Sequence, residues 1–184
     1  MSRKQNLSRS HKNYKSYTLF KGDILTCGYT FGHMCDQWSR DHPLLSSPKG
    51  LAAKVSKLYP HAYSYPKGDR INYKVGQINA HLSPRVGIPT IIELYAQRYG
   101  AGAKWGLGET KAKRLLWFRQ CLGEVDRYLR KHKIRNFALP YMIGCGREKG
   151  SWADYEAIIN DWAGVAQTGE DPFQVYLVNF LKET

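Results

Sequence analysis

The sequence predicts an α/β protein built around a largely parallel sheet, and three observations carry that prediction. Short apolar, β-branched runs alternate with longer segments whose apolar residues recur at helical spacing. The stretches between them collect glycine, proline, serine and aspartate, the residues of turns. Between a run that ends at Pro140 and a helical pattern that begins near Trp152 lies Gly144-x-Gly146 followed by Gly150, a strand-to-helix turn. In such a turn consecutive backbone N–H groups converge on an anion, and the helix N-terminus adds partial positive charge. Taken alone, the same glycines also suit a tight connection that binds nothing.

The elements follow in order. Tyr17 to Phe20 reads as the first strand, ending in the turn formers Gly22 and Asp23. Phe31 to Cys35 is a second buried strand, after which polar residues take over at Asp36. Residues 49–59 place Leu51, Val55, Leu58 and Tyr59 on one helical face, and Pro60 stops that helix. Ile71 to Leu82 reads as a strand with Gly76-Gln77 inside it, and Thr90 to Ala96 as a β-branched strand. Glu109 opens a long helix with Leu115, Leu116, Phe118, Leu122, Val125 and Leu129 as its buried stripe. Phe137 to Leu139 is the next strand, and Ser151 is the N-cap of a helix over 153–166 with Tyr155, Ile158, Ile159 and Trp162 inward. Phe173 to Phe180 closes the sheet, and no internal repeat appears.

At 184 residues the chain is expected to form one domain over 16–184, preceded by a basic flexible arm over 1–15. A hydrophobic content of 42% excludes a disordered chain. No apolar run approaches the roughly 18 residues of a membrane span, and the polar N-terminus predicts a cytoplasmic or nuclear monomer with no membrane partner. Cys27, Cys35, Cys121 and Cys145 form no C-x-x-C pair, so the spacing predicts neither a zinc site nor disulfides. A net charge of +13 attracts polyanions such as nucleic acid, nucleotides and phosphorylated substrates. The arm and Arg130-Lys131-His132-Lys133 are the stretches that would meet them.

In parallel sheets ligands sit outside the carboxyl ends of strands. Asp23, Cys35-Asp36, Gln97-Arg98-Tyr99 and Ile143 to Glu148 therefore line one predicted cleft.

Four motifs in this order carry a family resemblance: Gly22-Asp23-Ile24-Leu25, Gly50-Leu51-Ala52, Ala96-Gln97-Arg98-Tyr99-Gly100, and Pro140-x-x-Ile143-Gly144-Cys145-Gly146 before Trp152. Over residues 16 to 181 the chain resembles a macrodomain. The resemblance implies a three-layer fold, with a mixed, mostly parallel sheet of about six strands between helices. It also implies ADP-ribose, free or attached to a macromolecule, as the ligand, and no cofactor. Asp23 would then accept from the adenine amino group, with Ile24 offering a backbone contact, and Gly50 and Leu51 would open the first helix beside the ligand. Gly144, Cys145, Gly146 and Arg147 would wrap the diphosphate and distal ribose. Phe180 would stack on adenine or else serve as a packing aromatic.

The first loop departs from the common pattern, since the second strand runs His33-Met34-Cys35-Asp36 with no asparagine after it. Here the chain is more similar to the branch holding the terminal ADP-ribose glycohydrolase and the ADP-ribose 1''-phosphate phosphatases. The glycohydrolase pattern has a lysine where this chain has Gln97 or Arg98, and an aspartate where it has Glu148. A covalent lysine–ribose route is therefore not expected. Asp36 or Glu148 would instead activate water, and His33 is either an assisting group or a buried, hydrogen-bonded histidine. Three functions follow: an ADP-ribosyl hydrolase, a non-catalytic ADP-ribose reader, and a basic nucleic-acid-binding module.

Overall fold

The structure is a computed structural model that describes residues 15–36, 50–62, 74–99, 108–146 and 150–180. Its elements are β1 (Thr18–Lys21), β2 (Thr30–Asp36), α1 (Gly50–Leu58), a 3-10 turn (Pro60–Ala62), β3 (Ile78–His81), β4 (Ile91–Gln97), α2 (Lys111–Lys131), β5 (Asn136–Pro140), α3 (Trp152–Ala166) and β6 (Gln174–Asn179). Most of the basic arm, residues 1–14, lies outside the described residues. Its last residue, Lys15, is described, and its ammonium pairs with Glu156 at 2.7 Å.

The strands form one six-stranded sheet in the order β1-β6-β5-β2-β4-β3. All neighbours are parallel except β3, which runs antiparallel to β4 at the edge. This is the mixed, mostly parallel α/β architecture expected. The parallel strands bring the carboxyl ends of β1, β6, β5, β2 and β4 to one edge.

Strand alternation assigns each residue to a face. Ile92, Leu94, Phe137, Leu139, Val175 and Leu177 pack with Phe118, Leu122 and Val125 of α2 and Tyr155 and Ile159 of α3 in the larger core cluster. The alternate residues Phe31, Ile91, Ala138 and Val178 pack with Ile24, Leu25, Val55 and Ala62 in a smaller one on the α1 side. Fully burying an aliphatic or aromatic side chain contributes about 1.5–3 kcal/mol, so the α2/α3 side carries most of the hydrophobic stabilisation. Gly32 of β2 leaves room on that face, since a Cβ there would stand 2.7 Å from Leu94 and 2.8 Å from Phe137.

Three sequence expectations need correction. Leu116 is not buried but 53% exposed. At 100° per residue it sits roughly 160° around α2 from Phe118, and Arg114 takes the stripe position instead. Glu109 does not open α2: it is buried ahead of the helix, and Thr110 is the N-cap, its side chain accepting from the Lys113 N–H. The strand expected from Ile71 begins, in its described part, only at Ile78. Residues 74–77 form a turn whose Gly76 has φ +85° and sits against the Gln120 side chain. Among the described residues no helix is long and apolar enough to cross a membrane.

Candidate functional site

The edge where five strands end carries most of the residues that the sequence singled out. Lys21 pairs with Asn179, and the Gly22 N–H donates to the Asn179 carbonyl at 3.1 Å, so Asp23 and Phe180 leave the sheet side by side. Next comes the end of β5, where Tyr141 N–H donates to the Val178 carbonyl at 2.9 Å and holds the following turn to β6. Asp36 and Gln97 then end β2 and β4 as direct neighbours, after an irregularity in the pairing between Met34 and Asp36. The edge thus reads Asp23, Phe180, the 141–146 turn, Asp36, Gln97.

Asp23 is half-buried, and its Oδ1 accepts from the Leu25 N–H at 2.9 Å, a turn that fixes the start of the loop. Ile24 is buried in the smaller core cluster, so only its backbone is available to a ligand. Phe180 is 56% exposed, with the Lys54 ammonium 5.6 Å from its ring centre. It is therefore not a core aromatic. Gly50 starts α1 with φ +58° and open space around it, while Leu51 packs on the smaller cluster.

The Gly-Cys-Gly turn is built by Tyr155. A Cβ on Gly144, whose φ is +76°, would lie 2.6 Å from the Tyr155 ring, and one on Gly150 would lie 2.3 Å from the Gly144 carbonyl oxygen. The Gly150 N–H closes the loop by donating to that carbonyl at 3.0 Å. Ile143 N–H donates to Pro140 and Cys145 N–H to Met142, whereas the Gly144 and Gly146 N–H groups donate to no backbone carbonyl among the described residues. With Met142 at φ +59° and Gly144 at φ +76°, the chain has the alternating curvature that turns backbone N–H groups toward an anion. Ser151 occupies the N-cap position of α3 as expected, but its side chain accepts nothing from the helix. Arg147 and Glu148 lie outside the described residues.

Gln97 is 3% exposed, and its Oε1 has no hydrogen-bond partner among the described residues. Just beyond it stands a clamp that the sequence reading missed. Glu109 Oε2 accepts from the backbone N–H groups of Arg98 and Tyr99, at 3.2 and 3.1 Å. Its other oxygen is bound by Arg114, which also donates to the Tyr99 carbonyl at 3.3 Å. Both side chains are buried, so the pair anchors the exit of β4 to the start of α2. The signal was present as an acid just before a helix N-cap with an arginine five residues on.

His33 is 3% exposed and lies within the sheet, its Nδ1 3.7 Å from Cys35 Sγ. It stands opposite Glu93 in register. Glu93, 1% exposed, accepts from Tyr95 OH at 2.8 Å and from Asn79 Nδ2 at 3.3 Å. Of the remaining cysteines, Cys121 is buried, and that burial pushes its thiol up to about 12, outside nucleophile chemistry. In the expected basic patch Arg130 is taken up by structure: it pairs with Asp126 at 2.9 Å and donates to the Val165, Thr168 and Glu170 carbonyls. Lys131, His132 and Lys133 remain exposed.

No protein-family sequence model matches the chain, and neither does any curated protein. Solved structures do. The chain is similar to the macrodomain of Mycobacterium tuberculosis DarG, at 17% identity and TM-score 0.65 over 90% of this chain and 99% of that one. It is similar to the macrodomain of Thermus aquaticus DarG at 16% identity and TM-score 0.63, over 90% and 98% of the two chains. A third match is Thermosipho africanus DarTG in complex with ADP-ribose, at 13% identity and TM-score 0.61, over 91% of this chain and 42% of that one. With six strands in a mixed, mostly parallel sheet and helices on both faces, this chain has the macrodomain fold.

Proposed function

We propose that the sheet-edge cleft binds ADP-ribose and that the protein hydrolyses ADP-ribose derivatives, either an ADP-ribosyl linkage to a macromolecule or ADP-ribose 1''-phosphate. The observation that carries this reading is the order of groups along the edge. A carboxylate and an exposed aromatic ring stand at one end, a turn with two N–H groups that meet no described backbone carbonyl in the middle, and a second carboxylate at the other. That order suits an adenosine, a diphosphate and a distal ribose laid along one line.

In this reading Asp23 accepts from the adenine amino group and Phe180 stacks on the ring. The Gly144 and Gly146 N–H groups, with the α3 N-terminus behind them, hold the diphosphate. Asp36 is the general base, with Glu148 as the other candidate. The base takes a proton from water, the water oxygen bonds to ribose C1'' or to the attached phosphorus or acyl carbon, and the linkage bond breaks. The proton returns to the departing oxygen, and the backbone amides stabilise charge developing there. Since Gln97 or Arg98 would occupy the place of the lysine that a covalent ribose intermediate needs, direct attack by water is the route in this reading.

Calorimetry with ADP-ribose tests the binding, alongside turnover of ADP-ribose 1''-phosphate and of ADP-ribosylated protein and DNA. Binding with turnover that falls at least tenfold in Asp36→Asn or Glu148→Gln supports the hydrolase. Binding without turnover of any substrate makes the protein an ADP-ribose reader. No heat with ADP-ribose, while DNA binds tightly, overturns the reading in favour of a nucleic-acid module.

A further inference from the structure

Beneath the cleft, on the α1 side of the sheet, three side chains able to ligate a metal converge, and a fourth, His81, meets one of them. His33 and Cys35 alternate along β2 and so share a face. Glu93 lies opposite His33 on β4, and His81 approaches from β3, two residues from the Asn79 that pairs with Glu93. One donor atom from each of His33, Cys35 and Glu93 lies within 4.8 Å of the other two, and all three residues are buried. His81 Nε2 stands 3.3 Å from Glu93 Oε2.

Two of the donor spacings match a tetrahedral zinc centre. Bonds of roughly 2.3 Å to sulfur and 2.1 Å to nitrogen or oxygen put neighbouring donors roughly 3.6 Å (S to N) and 3.4 Å (N to O) apart. Cys35 Sγ to His33 Nδ1 is 3.7 Å, and the His81–Glu93 pair is 3.3 Å. The Tyr95 hydroxyl and the Asn79 amide already hold the Glu93 carboxylate, as outer partners do for a metal-bound carboxylate. The charge also fits. One thiolate and one carboxylate against a divalent ion leave the centre neutral, which suits a buried position. A thiolate with two imidazoles and one carboxylate selects zinc over magnesium or calcium, which take all-oxygen sites.

We propose that His33, Cys35, His81 and Glu93 hold a structural zinc ion that ties β2, β4 and β3 together beneath the cleft. On binding, the Cys35 thiol loses its proton to solvent and the thiolate joins the metal. With four protein ligands the centre is closed, and it holds the strand ends that carry Asp36 and Gln97 instead of taking part in the chemistry. The cysteine spacing was silent here because each of three strands contributes a part and only one ligand is a cysteine. The site does not depend on what the cleft binds.

The test is elemental analysis of the full-length protein after gel filtration, followed by exchange to cobalt(II). About one zinc per chain is expected, with an intense thiolate-to-cobalt charge-transfer band in the cobalt form. Cys35→Ser should abolish that band, and Cys27→Ser should keep it. His81→Gln, which leaves the thiolate in place, should weaken metal affinity by more than the roughly ten- to hundredfold that losing an outer partner costs, while circular dichroism shows the fold retained. That variant keeps the test informative if Cys35→Ser fails to fold. A folded protein that takes up neither zinc nor cobalt when either is supplied overturns the proposal. So does a charge-transfer band that survives Cys35→Ser.

Discussion

The two faces of β4 were built to different rules. All seven of its residues are buried, yet Ile92, Leu94 and Ala96 lie in the larger apolar cluster with the side chains of α2, whereas on the other side Ile91 joins the smaller apolar cluster and Glu93 is held by hydrogen bonds from Tyr95 and Asn79. The apolar face is closed by long helices and holds the sheet through area alone. The polar face is held by directional contacts, each of which loses more when one partner is removed than it gained when both were present. A sheet carrying a cleft at one edge can thus be rigid from one side and chemically specific from the other.

That contrast can be broken in graded steps. The largest loss is expected from Phe137→Ala on the apolar face, about 3–5 kcal/mol in urea unfolding, since the ring is fully buried between α2, α3 and β2. A loss below about 1 kcal/mol would mean that this face is not the anchor. Glu109→Gln comes next, at about 3 kcal/mol, because it strands the buried Arg114 guanidinium. It should also weaken ADP-ribose binding, by releasing the Arg98 and Tyr99 amides from their anchor beside Gln97. Unchanged unfolding and binding would show that the clamp is idle.

Gly144→Ala should cost about 1–3 kcal/mol, from the left-handed backbone and the Tyr155 ring behind it. It should also lower ADP-ribose affinity at least tenfold by calorimetry. Stability lost with affinity intact would separate the turn from the ligand. On the polar face Tyr95→Phe removes one hydroxyl from Glu93 and should cost about 1 kcal/mol.

The smallest effect belongs to the Lys15–Glu156 pair. Hydrogen bonds from Lys15, then from Tyr17, hold the Glu156 carboxyl below its usual range. Its contribution is present above the ordinary glutamate value and fades as pH falls through the lowered one. With Lys15 well exposed, that contribution is a few tenths of a kcal/mol. Wild type and Glu156→Gln compared by urea unfolding should converge toward low pH. A constant difference across the range would remove the pair from the ledger of pH effects.

Much of the fold was legible in the residues. Apolar runs marked the buried strands β2, β4, β5 and β6, because a strand buried on both faces needs little else, and Pro60 sits just past the end of α1 as expected. The errors came where a single residue had two readings. Leu116 is hydrophobic but on the wrong side of the helical turn, and Glu109 looks helical until its carboxylate is needed by the backbone of another loop. The shared sheet edge was legible as a list of strand ends, since parallel strands with helical crossovers leave their carboxyl ends on one edge.

By itself, then, the sequence determined the alternation of strands and helices, the edge at which Asp23, Asp36, Gln97 and the Gly-Cys-Gly turn emerge, and a net charge of +13. These depend on neighbours in the chain and on period. What only the tertiary structure decided are meetings between distant segments: Tyr155 beneath Gly144 and Gly150, Glu109 beneath the exit of β4, and His33, Cys35, His81 and Glu93 on one face of three strands. Strand order and register set those meetings. They follow from how the two cores close, and no local pattern of residues records that.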